Sequence, residues 1–249
     1  MLCLSIRCPS ARPARICAAL LVSMALLSGC ATVQNPDPWE PMNRKTFAFN
    51  EGVDKVVLKP VATAYRAVVP PPVRTGVSNF FSNLGDPWSG INLLLQGRVK
   101  DGLSDLARFC TNSTVGILGV MDVASDWGMP RHGEGFGETL AAWGVDSGAY
   151  LVLPLFGPSD VRNTVALPVN SMASLQGQVS DVAVRNTMTA LNVVDKRTRM
   201  LDVTKVIDDI ALDKYLFVRD AYIQRRSRRD TTASKEEAAA PSEQQAGPD

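Results

Sequence analysis

Apolar residues recur at helical spacing over most of the chain beyond residue 38. The clearest case is the segment 98–115, where Val99, Leu103, Leu106 and Cys110 follow one another at intervals of three or four residues. Charged residues of this segment lie largely elsewhere, which is the pattern of an amphipathic helix with one apolar face. Because an apolar face normally turns towards a protein core, the pattern predicts that Cys110 is buried.

Other helices are predicted on both sides of this segment. Asn43 is positioned to cap a first helix, and Pro60 is expected to end it. The run Pro70-Pro71-Pro72 favours an extended spacer, and Gly85-Asp86-Pro87 favours a turn. The remaining helical patterns cover residues 61–69, 73–84, 88–95, 160–167, 182–194, 201–210 and 213–226.

Glycines are concentrated in the middle of the chain. Thirteen of the eighteen fall between Gly85 and Gly157. Such density favours many short helices whose backbones approach closely rather than a few long ones. The patterns together predict an all-α protein.

The most apolar stretch beyond the N-terminal region is Ala-Tyr-Leu-Val-Leu-Pro-Leu-Phe-Gly, residues 149–157. It has about half of the roughly 20 residues that a membrane-spanning helix requires, and Pro154 and Gly157 interrupt it. One interpretation is a buried, strand-like connector. The other is a segment that faces lipid or lines a channel.

The N-terminus has the order of a bacterial lipoprotein signal peptide. Arg7, Arg12 and Arg15 precede an uncharged run over 16–27, which leads into Leu27-Ser28-Gly29-Cys30. Small residues ending in cysteine form a lipobox, at which the signal is cut and the cysteine is acylated. The alternative, a buried helix ending at an ordinary Cys30, explains neither the basic leader nor the small residues.

These patterns divide the chain into four parts. Residues 1–29 are the predicted signal peptide, 30–36 a lipidated linker and 37–226 a helical domain, and the polar tail 227–249 is predicted to be disordered. Residue 31 is alanine, not the aspartate that retains many enterobacterial lipoproteins in the inner membrane. The expected destination is therefore the outer membrane, with the protein lipid-anchored on its periplasmic side.

Composition excludes several classes of function. Without the three leader arginines the chain carries 23 basic and 25 acidic side chains, which gives no basic excess for nucleic acid. Only Cys110 remains besides Cys30, so no intramolecular disulfide is available. With His132 as the sole histidine, and without a nucleophile elbow or a Walker motif, no catalytic residue, metal site or cofactor is predicted.

The basic run 225–229 is interpreted as solvated at a helix end, the alternative being contact with lipid headgroups or an acidic partner.

Several segments in one order resemble the MlaA (VacJ) family of outer-membrane lipoproteins. They are Asp37-Pro38-Trp39-Glu40-Pro41-Met42-Asn43-Arg44 with Phe47, Phe49 and Asn50, Lys59-Pro60-Val61-Ala62, Val69-Pro70, Val73-Arg74, Ser78-Asn79-Phe80, Leu95-Gln96-Gly97, Arg108-Phe109, Gly135-Phe136-Gly137-Glu138-Thr139-Leu140, Gly144-Val145, Tyr150 to Ser159 and Val218-Arg219-Asp220-Ala221-Tyr222. The resemblance covers almost all of residues 37–226.

The resemblance implies a ring of short amphipathic helices around a central channel, embedded in the periplasmic leaflet of the outer membrane. It further implies a passive conduit that takes mislocalised phospholipids from the outer leaflet, beside an outer-membrane porin trimer, and passes them to a periplasmic lipid-carrier protein. Cys30 is the expected lipidation site. Candidate channel or gating residues are Asn43, Phe47, Phe49, Asn50, Tyr150, Leu151, Leu153, Pro154 and Phe156, for which plain core packing is the alternative.

Two other classes of function stay open. One is a scaffold lipoprotein that organises the envelope without transporting lipid. The other is a phospholipid hydrolase, for which the sequence offers no recognisable site.

Overall fold

The computed structural model describes residues 35–239, with side chains described as far as residue 230. The predicted signal peptide, Cys30 and the last ten residues of the tail lie outside the described residues. Within them the protein is mainly helical, as the sequence predicts.

The helices are α1 Glu40–Val53, α2 Lys59–Val68, α3 Pro71–Leu95, α4 Val99–Thr114, α5 Val123–Asp126, α6 Phe136–Ala142, α7 Val161–Ala173, α8 Val182–Arg199, α9 Leu201–Ile210 and α10 Lys214–Ala239. The strands β1 Tyr150–Leu153 and β2 Gly157–Asp160 pair as an antiparallel hairpin, with Tyr150 opposite Asp160 and Leu153 opposite Gly157. The strand-like interpretation of residues 149–157 therefore describes their backbone.

The helix that begins near the N-terminus does not end at Pro60. A π-helical segment, Asp54–Leu58, joins α1 to α2, and the amide of Lys59 donates to the carbonyl of Asp54 five residues back. In an α-helix the proline ring would meet the carbonyl four residues earlier, that of Val56. Since Val56 lies within the wider π turn, the chain passes Pro60 without breaking the helix.

The prolines and the glycine that were expected to interrupt α3 do not do so. Val69 leaves α2 in an extended conformation, and Pro71 and Pro72 then form the first turn of α3. Proline suits that position because the first helical amides have no partner within the helix. Asp86 and Pro87 lie inside α3, which runs unbroken for 25 residues. The predicted extended spacer is limited to Val69 and Pro70, and the predicted turn at residues 85–87 is wrong.

Close contact between α3 and α4 depends on two glycines. A Cβ atom on Gly90 would lie 3.0 Å from the carbonyl oxygen of Gly102, and one on Gly102 would lie 2.9 Å from that of Gly90. Small residues at such crossings let helix backbones approach closely, as in membrane helices. The close approach predicted from the glycine content is found here.

The hairpin packs between the first and last helices of the domain. Tyr150 and Val152 of β1 form a buried cluster with Tyr215 of α10, and Phe47 of α1 packs against it. The rings of Phe47 and Tyr215 meet edge to face with centroids 5.6 Å apart. The cluster thereby joins elements from opposite ends of the domain.

The predicted start of the disordered tail, residue 227, is wrong, because α10 continues to Ala239. Arg162 of α7 holds Asp230 through both carboxylate oxygens, at 2.8 and 3.0 Å. Glu138 of α6 accepts from Arg226 at 3.0 Å and from Arg229 at 3.3 Å. These ion pairs attach α10 to the domain beyond Ile223, the last large apolar residue of this helix. Arg226, in the basic run, is buried rather than solvated.

Candidate functional site

Helix α4 turns its apolar face outwards. Val99 is 54% exposed, Leu103 57%, and Cys110 on the same face is also exposed. Asp105 and Arg108 on the opposite face are fully buried. The prediction that Cys110 is buried is therefore wrong, although the helix and its two faces are as the pattern indicates.

Helix α3 has the same inverted arrangement. Asn83, Asp86, Ser89 and Asn92, at helical spacing, are all buried. Among the largest fully buried side chains of the described residues, Leu93 is the only apolar one. Buried polar groups need partners, so the interior between these helices must be a hydrogen-bonded network.

We call this network the polar core; it consists of Asp86, Ser89, Asp105, Arg108, Asn112, Asp122, Arg131 and His132. Arg108 lies at its centre, 2.8 Å from a carboxylate oxygen of Asp122 and 3.6 Å from one of Asp86. It also donates to the carbonyl of Met129. A buried guanidinium with two carboxylates is tolerated only because its charge is compensated.

The outer part of the polar core joins α3 and α4 to the loop before α6. Ser89 donates to Asp105 at 2.5 Å, and His132 contacts the other oxygen of Asp105 at 2.8 Å. Arg131 donates to Asp86 at 3.1 Å. Burial raises the pKa of Asp86 above its usual value, and Arg131 opposes this shift.

Exposed apolar residues of α4 and of the turn after it make up an outer surface, which we call the apolar face. It includes Val99, Leu103 and Cys110 of α4 and the turn that follows, where Val115, Ile117, Leu118, Val120 and Met121 are all exposed. An exposed patch of this kind marks a contact with a membrane or a partner protein. In the span 35–239, no helix is both long and apolar enough to cross a bilayer.

Two asparagines of α1 hold the hairpin. Asn43 is buried, and its amide nitrogen donates to Asp37 at 2.8 Å and to the carbonyl of Tyr150 at 3.0 Å, while its oxygen accepts from the amide of Val152 at 2.9 Å. Asn43 is therefore inside the helix and is not its cap. Two turns later, Asn50 bonds the carbonyl of Leu153 at 2.9 Å and the amide of Leu155 at 2.8 Å.

The other predicted site residues separate into three environments. Tyr150 is buried, Phe47 packs against it, and Leu151 and Leu153 are partly exposed on the other side of β1. Pro154 and Phe156 lie at the exposed hairpin tip, where Phe156 is 77% accessible. Phe49 is half-exposed on α1. The structure thus gathers Asn43, Phe47, Asn50 and β1, but not Phe49.

Comparison with known proteins agrees with this architecture. The sequence profile of the MlaA lipoprotein family matches residues 35–229. The chain belongs to this family. Membership of a lipoprotein family associates the protein with the bacterial envelope.

Its relatives include named MlaA proteins. The intermembrane phospholipid transport system lipoprotein MlaA of Escherichia coli K12 is 33% identical over 223 residues, which cover 83% of this chain and 85% of that protein. An uncharacterised protein of Rickettsia felis is 40% identical over 136 residues, and the chain spans about half of its length, 53%. A solved structure described as the structural basis for maintenance of bacterial outer membrane lipid asymmetry matches with a TM-score of 0.68 and 33% identity, covering 79% of this chain and 98% of that one.

The polar core is the part of this MlaA fold that the sequence analysis missed. Its residues do show a signal, because Asp105, Arg108 and Asn112 recur at helical spacing opposite the apolar positions. The apolar face of α4 was predicted to be the buried face, because a helix that packs in water buries its apolar side. In an MlaA-like protein beside lipid, the same period is compatible with either face being inside. The described residues hold no group of histidine, cysteine or acidic side chains arranged for a metal ion.

Replacing Asn43 with alanine should loosen the hairpin. The change leaves the amide of Val152 and the carbonyl of Tyr150 buried without their partner, and each unsatisfied group costs about 1–3 kcal/mol. We expect a lower melting temperature and faster hydrogen exchange at the amide of Val152.

The matched control for this prediction is Asn50→Ala in α1, which removes the bonds to the exposed hairpin tip. Water can replace its bonds to Leu153 and Leu155, so its effect should be the smaller of the two. Equal protection of Val152 in the Asn43→Ala variant and in the wild type would show that Asn43 does not hold the strand.

Proposed function

We propose that this protein is a lipid-anchored outer-membrane component that gives phospholipids a passive, amphipathic path from the outer leaflet towards a periplasmic carrier, and so maintains lipid asymmetry. The observation that carries the proposal is the inverted polarity of α3 and α4. The named relatives in phospholipid transport support the same conclusion.

The apolar face suits insertion into a single leaflet. Its side chains are left exposed by the rest of the described residues, and helices satisfy their own backbone hydrogen bonds in hydrocarbon. Trp127 and Trp143 are 61% and 56% exposed. Tryptophan is favoured where hydrocarbon meets the headgroup region, so these two side chains would mark the depth of insertion.

A phospholipid needs polar surroundings for its headgroup and apolar ones for its chains. The edge of the polar core supplies the first, where Arg131 and His132 line a cavity of about 320 Å³. The second is available in an apolar groove of about 510 Å³ between α3 and α8, lined by Pro72, Val73, Gly76, Val77, Phe80, Phe81, Val120, Met188 and Leu191. Both features share α3, which makes this helix the element along which an amphiphile would move.

The lipid anchor would lie close to the hairpin. Cys30 is six residues before Pro36, whose carbonyl accepts from the amide of Tyr150 at 3.0 Å. Six extended residues span at most about 22 Å, so an acylated Cys30 would hold the hairpin end of the domain within that distance of the membrane surface.

The hairpin is the part of this path that we assign to gating. Asn43 and Asn50 fix β1 against α1, and the tip residues Pro154 and Phe156 extend beyond them. Beside this path we propose a porin trimer as the outer-membrane partner and a soluble lipid carrier on the periplasmic side. No nucleotide motif occurs in the sequence, so the direction of movement would come from the partners.

The proposal predicts a phenotype that depends on Cys30. Cells of the parent bacterium that lack the protein should accumulate phospholipid on their surface, and the wild-type gene should clear it. Cys30→Ala should fail to do so, because the acyl chains are what hold the protein at the membrane. Cys110→Ala, which changes the only other cysteine beyond the leader, is the matched control and should complement fully.

Surface phospholipid is measured with an impermeant amine-reactive reagent or a surface phospholipase. An unchanged surface in cells without the protein would reject transport and favour the scaffold function. Release of fatty acid or lysophospholipid by the purified protein would favour hydrolysis instead.

A further inference from the structure

The cavity of about 320 Å³ at the edge of the polar core has a wall of mixed charge. Its sides come from the loop before α6, from α6 itself and from α10. Among the described residues, four arginines, His132 and three acidic side chains line it. The volume lies at the lower end of the range that small-molecule sites occupy, which suits a lipid headgroup without its chains.

Glu134 differs from the other two acidic side chains of this cavity. Glu138 and Asp230 each accept hydrogen bonds from arginines. The carboxylate of Glu134 forms no hydrogen bond or ion pair with any described residue, although its backbone amide is fixed by the hydroxyl of Ser89 at 2.8 Å. Its oxygens remain accessible in the cavity. Glu134 therefore presents an acceptor and a negative charge that the protein leaves without a partner.

The protein holds Glu134 at an energetic cost. Burial raises the pKa of its carboxyl, and the neighbouring charge of Glu138 adds to this shift, while Arg229, Arg98 and His132 oppose it. A group held in this way gains from a ligand that brings a positive charge.

His132 offers a second open acceptor in the same cavity. Its Nδ1 lies 2.8 Å from a carboxylate oxygen of Asp105. Because a carboxylate only accepts, Nδ1 carries the proton, and Nε2 of the neutral ring is left as an acceptor. Nε2 lies 3.7 Å from a carboxylate oxygen of Asp101, too far for a hydrogen bond, and the side chain is 15% exposed. A ligand that meets both Glu134 and His132 must bring N–H or O–H donors.

Arg229 supplies the opposite charge. Its side chain is 44% exposed, and within the described part of the chain only its Nη1 is engaged, by Glu138 at 3.3 Å. The other guanidinium nitrogens can donate to an anionic oxygen of a ligand. A purely anionic ligand would meet the charge of Glu134, and a purely cationic one that of Arg229. The cavity is therefore suited to a zwitterion whose positive end carries hydrogen-bond donors.

We propose that this cavity binds the headgroup of an ethanolamine phospholipid, with the ammonium group against Glu134 and Nε2 of His132 and the phosphodiester against Arg229. A choline headgroup has the charge but no N–H, and a glycerol headgroup leaves Glu134 without a counter-charge. The assignment to a lipid rests on the proposed function, whereas the preference for a zwitterion with N–H donors rests on the cavity.

The test uses the acylated protein in detergent freed of phospholipid. Glycerophosphoethanolamine, glycerophosphocholine, glycerophosphoglycerol and ethanolamine are titrated separately, and the affinity of each is taken from the rise in melting temperature with its concentration. We expect glycerophosphoethanolamine to bind about ten- to a hundredfold tighter than the other three, because only it engages both ends of the cavity.

Two variants separate the ends of the headgroup. Glu134→Gln removes a charge that no described residue uses, so the unliganded melting temperature should stay the same. Its affinity for glycerophosphoethanolamine should fall about ten- to a hundredfold, with glycerophosphoglycerol unaffected. Arg229→Gln should weaken both diesters alike, by about two- to tenfold. Asp126→Asn is the matched control, because Asp126 is an exposed carboxylate that does not line the cavity, and it should bind as the wild type does.

Equal affinity of the wild type for the ethanolamine and glycerol diesters, or unchanged binding in Glu134→Gln, would overturn the site. Equal binding of the choline diester would show that N–H donors are not recognised and would remove the ethanolamine assignment. Ethanolamine that binds as tightly as its diester would assign the cavity to a free amine instead of a headgroup. Because binding is measured without transport, each of these failures leaves clearance of surface phospholipid by the wild type standing, and the two proposals are separable.

Discussion

Replacing Arg108 with methionine should destabilise the protein more than any other single change in its interior. Methionine fills a similar space but removes the guanidinium that the buried Asp86 and the partly buried Asp122 share, and leaves them only the more distant Arg131. Breaking one side of a buried ion pair costs about 3–5 kcal/mol. In a domain of this size, each kcal/mol lowers the melting temperature by roughly 2–4 °C, so a fall of about 6–20 °C is expected.

Arg66→Met is the matched control. Arg66 also pairs with an aspartate, Asp202 at 2.8 Å, but the two side chains are 39% and 85% exposed. Exposed pairs contribute about 0–1 kcal/mol, so this variant should melt within about 4 °C of the wild type. Circular dichroism in one detergent compares the two variants directly, and similar melting of both would mean that the polar core does not stabilise the fold.

A fluorophore attached to Cys110 should report a hydrocarbon environment when the acylated protein is reconstituted into liposomes. Cys110 is exposed on the same face of α4 as Leu103, and it would be the only free thiol of a chain processed and acylated at Cys30 as proposed. Quenchers attached to acyl chains should act on the probe, whereas aqueous iodide should not. Quenching by iodide alone would place the apolar face in water and contradict insertion.

Leu103→Asp should expel this face from the bilayer without unfolding the protein. An acidic residue in hydrocarbon costs about 2.5–3.5 kcal/mol on insertion scales, whereas at an exposed position in water the change is within about 0.5 kcal/mol. The Cys110 probe should therefore become accessible to iodide in liposomes, with an unchanged melting temperature in detergent. Leu103→Ala, which removes apolar area without adding charge, should keep the probe protected.

The Arg108→Met and Leu103→Asp variants examine opposite sides of α4. Arg108 and Leu103 are five residues apart, and one is fully buried while the other is 57% exposed. In a water-soluble protein the leucine would be inside. The inversion makes physical sense where the surroundings are apolar, because lipid then solvates the leucine and the protein must solvate the arginine.

The sequence by itself determined the predominance of helix and many of the boundaries. The bounds of α9 agree with the predicted 201–210, and α4 differs from 98–115 by one residue at each end. These elements follow from local periodicity, which needs no knowledge of neighbours. The segments that resemble the MlaA family also identified it from sequence, and the family match confirms that identification.

Tertiary structure decided where the local rules were overridden. Pro60 and Pro87 both lie within helical segments, and a π turn accommodates the first. Helix α10 passes residue 226 because Arg162 and Glu138 hold it. Most of all, only the assembled fold decides which face of α3 and α4 is inside. Helical periodicity gives two faces but not which of them is inside. In α4 the pairing of Arg108 with Asp86 and Asp122 holds the polar face inside.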